Sequence, residues 1–144
     1  MSYLAETEFL FSIRPKDQWN KMSRRILHKA KREKIQIRFL ESALQEMRTV
    51  LYSQDKSPRD AYMSLIFIKK KLGQYGILDE AMSIDDDVLA DKLREDFGEL
   101  TYFDSLHAAA ALRRNQILLT NDKVYRTCEV KTITFRELAS QKLR

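Results

Sequence analysis

LTYFDSLHAAAALRRNQILLTNDKVY, residues Leu100 to Tyr125, holds a complete helix–turn–strand unit, and its reading decides the fold. Thr101 is placed to cap a helix, with Asp104 three residues on at the capping-box spacing. Ala108 to Ala111 give that helix a smooth, small face that can lie close on a sheet. Arg113-Arg114-Asn115 suits its C-terminus, where positive charge and Asn are both favoured. Ile117 to Leu119 is short and wholly apolar, the pattern of a buried strand. Thr120-Asn121-Asp122 then ends it with polar groups.

The geometry of such a unit places two acids together. Crossover helices of a parallel α/β layer run antiparallel to the strands, so helix N-termini and strand C-termini share one edge of the sheet. Asp104, in the first turn of its helix, and Asp122, just past its strand, are expected on that edge. Open parallel sheets carry their sites there, where the strand order reverses. Two carboxylates converging at such an edge suit a cation.

Working outward, Ser2-Tyr3-Leu4-Ala5 reads as a first strand, followed by Glu6-Thr7-Glu8 and the apolar Phe9-Leu10-Phe11. On residue type alone, Glu6 and Glu8 suit the start of a helix, where acids favour the positive end of the dipole. Residues 16–34 are expected to form a basic helix with Trp19, Met22, Ile26 and Leu27 as its apolar stripe. Lys21, Arg24 and Arg25 lie on its polar face, which is either a solvated surface or a set of phosphate contacts. His28 there reads as a surface residue. Ile35 to Phe39 alternates as a second strand. The following helix sets Leu40, Ala43, Leu44, Met47, Val50 and Leu51 on one face. At about 100° per residue, Glu41 and Glu46 flank that stripe on opposite sides, and periodicity does not choose between them.

Ser57-Pro58-Arg59-Asp60 is a helix start, with Ser as cap and Pro at the first position, and the helix runs to about Leu72. Ile77 to Met82 reads as a third strand, and Ser83 caps a helix whose first turn carries Asp85-Asp86-Asp87. Dipole complementarity accounts for those three acids without a metal, and Asp96 near the helix end reads as structural. Val130 to Ile133 is a last strand, and Thr134-Phe135-Arg136-Glu137 opens a terminal helix. The alternation of strands and helices predicts an α/β fold: a three-layer α/β/α sandwich around a mainly parallel sheet of five strands.

Composition narrows the function. The 144 residues suit one domain, 1–144, with one core. A 44% apolar and 33% charged chain reads as globular with a heavily charged surface, and its net charge of +5 is compatible with nucleic acid. No apolar run approaches the roughly 20 residues needed to cross a bilayer, so no membrane association is expected. Glu6 and Glu8 interrupt any leader at the start. The lone Cys128 cannot pair within the chain, which points to a reducing cytoplasm. Three glycines, Gly73, Gly76 and Gly98, cannot build a P-loop or a dinucleotide fingerprint. There is no Cys/His cluster for zinc and no G-x-S-x-G nucleophile turn.

Asp104-Ser105-Leu106-His107-Ala108-Ala109-Ala110, followed by Leu119-Thr120-Asn121-Asp122, resembles the C-terminal half of PIN-domain ribonucleases, including the VapC-type toxins. The resemblance extends from Tyr3 to about Phe135. That family opens with an apolar strand and an acid-[ST]-[ND] triplet, here Glu6-Thr7-Glu8, with Glu in place of the usual Asp. It also carries an acid inside the helix after the second strand, which Glu46 in A-L-Q-E-M matches best. The resemblance therefore implies Glu6, Glu46, Asp104 and Asp122 as catalytic residues and ligands of Mg2+ or Mn2+. Thr7, Glu8, Ser105, Thr120 and Asn121 would orient the acids or the substrate, and His107 is left out as a packed histidine.

The implied activity is metal-dependent hydrolysis of RNA phosphodiester bonds, as the toxin of a toxin–antitoxin pair. Implied partners are RNA through Lys21, Arg24 and Arg25, an antitoxin protein, and a second copy of the chain in a homodimer. The substitution at Glu6 keeps a second reading open: a PIN domain that binds RNA or protein without cutting. A third is an α/β domain whose acids only cap helices.

Overall fold

The computed structural model describes residues 1–141. The last three positions of the expected 1–144 domain lie outside the described residues. Five parallel strands form one sheet: β1 (Ser2–Ala5), β2 (Gln36–Leu40), β3 (Leu78–Glu80), β4 (Ile117–Leu119) and β5 (Thr132–Ile133). Their order is β3-β2-β1-β4-β5, as expected for a parallel α/β sandwich. β1 is central because Ser2–Ala5 pair with Gln36–Phe39 on one side and Tyr3–Ala5 with Ile117–Leu119 on the other. The order reverses between β1 and β4, so the carboxyl ends of these two strands form the switch point where open sheets hold their sites.

Alternation along β1 divides the core. Tyr3 and Ala5 join one buried cluster with Phe9, Ile26, Met47 and Ile68, whereas Leu4 joins a second with Leu106, Ala108 and Leu118. The first cluster is covered by α1 (Thr7–Ser12), α2 (Asn20–Glu33), α3 (Glu41–Ser53), α4 (Pro58–Gly73) and α7 (Phe135–Ser140). The second lies under α5 (Ile84–Asp96) and α6 (Tyr102–Arg114). Ala108 to Ala111 are all 1% exposed or less, so the alanine run does bring α6 close against its neighbours. Asn115 closes α6 in the left-handed conformation, φ +50°, and the Gln116 N–H returns to the Ala111 carbonyl at 2.9 Å.

Several boundaries differ from the sequence expectation. The basic helix starts at Asn20 rather than at residue 16. The Asp17 carboxylate accepts the Trp19 N–H at 2.9 Å and the Asp17 carbonyl accepts the Asn20 N–H at 3.1 Å, so the chain turns before the helix begins. β3 is limited to Leu78–Glu80 because Ile77 donates back to Leu72 and completes the turn closing α4. β5 is two residues long, although Lys131 still accepts the Leu118 N–H at 2.8 Å. Among the described residues no helix is long and apolar enough to cross a membrane.

Candidate active site at the carboxyl edge of the sheet

Glu6 is the first residue past β1 and occupies the N-cap position of α1, yet its side chain makes no capping bond. The carboxylate instead accepts the hydroxyl of Thr120, the first residue past β4. The switch point is thus closed by a side-chain pair, alongside the Glu6 N–H to Leu119 carbonyl bond at 3.1 Å. Thr7, next in the chain, donates its hydroxyl to Glu46 on α3. Glu46 is half-buried and Glu41 is exposed, so the two acids that helical periodicity left equal lie in different surroundings. Glu6, Thr7, Glu8 and Glu46 line one groove of about 340 Å³, walled by Phe11 and Trp19.

Asp104 is 8% exposed and takes part in the capping box expected of it. Its Oδ2 accepts the Thr101 N–H at 3.0 Å. Its Oδ1 accepts the phenol of Tyr125 at 3.2 Å. Tyr125, fully buried in the 3-10 helix Lys123–Thr127, has no role in the sequence-based expectation. Its neighbours Lys123, Arg126 and Thr127 are polar, so nothing in the local sequence marks it as a buried phenol in need of an acceptor. Asp122 itself is exposed, caps that 3-10 helix through Val124 N–H at 2.9 Å, and is tethered to Thr120 through its own N–H at 3.0 Å.

Other expected residues have structural duties. Ser105 donates to the Tyr102 carbonyl at 2.6 Å, and the Asn121 side-chain oxygen accepts the Phe135 N–H at 3.1 Å, fixing the start of α7. His107 is buried with Nδ1 at 3.0 Å from the Phe103 carbonyl; burial pushes its pKa down to about 4, so it is neutral near pH 7. Lys21, Arg24 and Arg25 are exposed along α2. Arg24 borders a hollow that Lys71 of α4 also lines.

Electrostatics ties the acids together. Burial pushes Glu6 up to about 8; the Thr120 hydroxyl opposes this, and the charges of Asp104, Glu46 and Asp122 add to it. Glu46 is raised by burial, lowered by its Thr7 bond and raised again by Asp104. Glu8 is raised chiefly by burial. Glu6, Glu46, Asp104 and Asp122 are each braced by a hydroxyl or an N–H. Among the described residues no three His, Cys, Asp or Glu side chains converge into a ready-made metal cage. The arrangement is an open acidic edge, with carboxylate fields overlapping across the switch point.

No protein-family model matches this sequence, and no curated protein matches it. Solved structures do. The VapBC2 complex from Rickettsia felis, bound to a DNA fragment from its promoter, aligns with a TM-score of 0.72 at 16% identity, covering 93% of this chain and 98% of that one. PAE2754 from Pyrobaculum aerophilum aligns at 0.62 and 19% identity over 98% and 100%. VapBC-1 from nontypeable Haemophilus influenzae aligns at 0.64 and 11% identity over 94% and 99%. This chain has the PIN-domain fold. Within the PIN fold Glu6 follows the central strand, Glu46 lies in the helix after β2, and Asp104 and Asp122 come from the α6–β4 unit. An oxygen-only donor set of this kind fits a hard divalent cation and disfavours zinc or copper. The raised Glu6 and Glu46 fit it too: burial is the main cause and neighbouring carboxylate charge adds to it, and a bound cation would favour the charged form of both.

Proposed function

We propose that this chain is a Mg2+- or Mn2+-dependent endoribonuclease of the PIN type, acting as the toxin of a toxin–antitoxin pair. The observation that carries the reading is the meeting of Glu6, Thr7 and Glu46 in one groove at the switch point, within the field of Asp104 and Asp122. Glu6, Glu46, Asp104 and Asp122 would hold the ion. When bound, it supplies water of lowered pKa and neutralises charge on a phosphoryl oxygen. The chain's own groups do the rest. Thr120, Thr7 and Tyr125 each donate a hydroxyl to one acid, which fixes its rotamer before substrate arrives. Burial of Glu6 beneath the edge keeps bulk water from screening the site. The toxin–antitoxin context is supported by the R. felis and H. influenzae complexes that share the fold, and an antitoxin would be the protein partner.

A second reading, a PIN domain that binds without cutting, is favoured by one observation: Glu6 stands where the PIN triplet usually carries Asp. Paired substitutions in α3 separate the two. Glu46→Gln is expected to reduce Mg2+-dependent RNA cleavage at least ~10-fold more than Glu41→Gln, because only Glu46 reaches the groove. Equal activity of both variants, or a dead Glu41 variant alone, would remove Glu46 from the site. Absence of cleavage by the unmodified protein would favour the binding module.

A further inference from the structure

The structure leaves part of α4 uncovered. Tyr62, Met63, Ile66 and Phe67 are 39–55% exposed, a continuous apolar strip on a helix whose opposite face is buried. A cleft of about 630 Å³ runs between Met63 and Phe67 and the turn that carries Arg14 and Lys16. Arg14, Asp17 and Gln18 also line the groove of Glu6 and Glu46, so cleft and groove adjoin across these side chains. At its other end Phe67 borders the hollow reached by Arg24 and Lys71. Groove, cleft and hollow thus adjoin through shared walls, a trough of three hollows ranged from the carboxylates, by Arg14 and Lys16, to a second basic pair.

Its chemistry suits a polyanion with flat, unpaired faces. In the cleft and the hollow Arg14, Lys16, Arg24 and Lys71 meet a single acid, Asp17, while Arg14 also borders Glu6, Glu8 and Glu46 in the groove; none of the four forms a salt bridge among the described residues. The Arg14 guanidinium lies 4.7 Å from the centre of the Phe11 ring, and its buried Nε has no acceptor among the described residues. Successive cations suit successive phosphates, and exposed Phe67 and Tyr62 offer ring faces on which unstacked bases can lie. A duplex keeps its bases inside and would leave those rings unused. We propose that the trough is the path by which single-stranded RNA reaches the acidic edge, with Phe67 as a stacking platform and Arg14, Lys16, Arg24 and Lys71 as the phosphate track. The inference rests on the ribonuclease reading for its destination, but binding along the trough needs no cleavage.

The test is fluorescence anisotropy of a labelled, ribose-methylated single-stranded RNA in EDTA, titrated at several salt concentrations. The variants are a Lys16→Gln, Arg24→Gln, Lys71→Gln triple, Phe67→Ala, and Lys92→Gln on α5 across the sheet as control, with thermal melts confirming that each is folded. The triple variant is expected to weaken binding and flatten the slope of log K against log salt by about 0.7 for each phosphate no longer neutralised. Phe67→Ala is expected to weaken binding ~5- to ~150-fold, the range of one base–aromatic stack, with the slope kept. Lys92→Gln should match the unmodified protein. Unchanged affinity and slope in the triple and in Phe67→Ala would overturn the proposal. So would Phe67→Ala converting a dimer to a monomer in sedimentation while RNA affinity stays the same, which would make α4 an interface between copies. Binding that follows these expectations without any cleavage in Mg2+ would sustain the trough and refute the nuclease; cleavage with trough variants at full affinity would do the reverse.

Discussion

Glu6 illustrates how much one methylene and one neighbour can change an acid's role. Its carboxyl is buried, bonded to Thr120, and pushed up to about 8. In the unfolded chain the same group titrates near 4.5. Between those values the folded protein holds a proton that the unfolded chain has released, so the contribution of Glu6 to metal-free stability is full below about pH 4.5 and is lost as pH rises toward 8, while buried His107, pushed down to about 4, acts in the opposite sense at the acid end. The limiting slope is about 1.4 kcal/mol per pH unit. Glu6→Gln, neutral throughout, is expected to flatten this decline, read from denaturant melts in EDTA across the pH range. A variant that melts with the same pH slope as the unmodified protein would mean that Glu6 carries an ordinary carboxylate. At this scale the sequence was partly legible. The acids at 6, 46, 104 and 122 were nameable from motif and edge geometry. Tyr125 was not, because its partner Asp104 lies 21 residues away and only packing brings them together.

Elements whose signals are local were read well. Ser57 with Asp60, Ser83 with Asp86 and Thr101 with Asp104 all form reciprocal capping boxes, because each depends only on a Ser or Thr and an acid three residues on. Lengths set by tertiary contacts were read less well. The start of α2 depends on the turn at Asp17, the ends of β3 and β5 on edge pairing, and the 3-10 helix on an Asp122 side chain that could equally have been only a ligand. The acidic triplet at the start of α5 also did more than complement the dipole. Asp86 is fully buried, capping Ser83 while meeting Arg113 at 2.8 Å and Arg114 at 2.9 Å, and so ties α5 to the end of α6. Burial works to raise its pKa, but Arg114, the Ser83 N–H and Arg113 overcome this and hold it well below the usual carboxylate range. Asp86→Ala is expected to cost about 3 kcal/mol, since two arginines lose their buried acceptor along with the cap. Asp85→Ala, at an exposed acid 3.7 Å from Arg113, should change stability by less than about 0.5 kcal/mol. Denaturant melts check both, and equal effects would place the α5–α6 tie elsewhere.

Across the whole molecule, strand order does the assembling. Because β1 sits between β2 and β4, the chain delivers residues 6, 46, 104 and 122 to one edge from positions scattered over most of its length. Alternating elements were enough to predict a parallel sandwich, whereas the hollows against α4 were not foreseeable: they are lined jointly by a turn, α2 and α4, a shape no local pattern encodes. If the edge holds a divalent ion, ligand linkage should stabilise the folded chain by about 2.7 kcal/mol at a hundredfold excess over Kd. Asp104→Asn should lose that response. In EDTA near neutral pH Glu6 is largely protonated and offers little charge to repel, so the same variant chiefly weakens the Thr101 and Tyr125 bonds and is expected to be less stable than the unmodified protein. The most direct measurement is cleavage of an end-labelled single-stranded RNA by the unmodified protein and by Asp104→Asn, each in Mn2+ and in EDTA. Cleavage is expected only from the unmodified protein in Mn2+, with the variant folded but at least ~100-fold slower. Cleavage that survives EDTA, or that a folded Asp104→Asn retains at near full rate, would contradict a metal-dependent site at this edge.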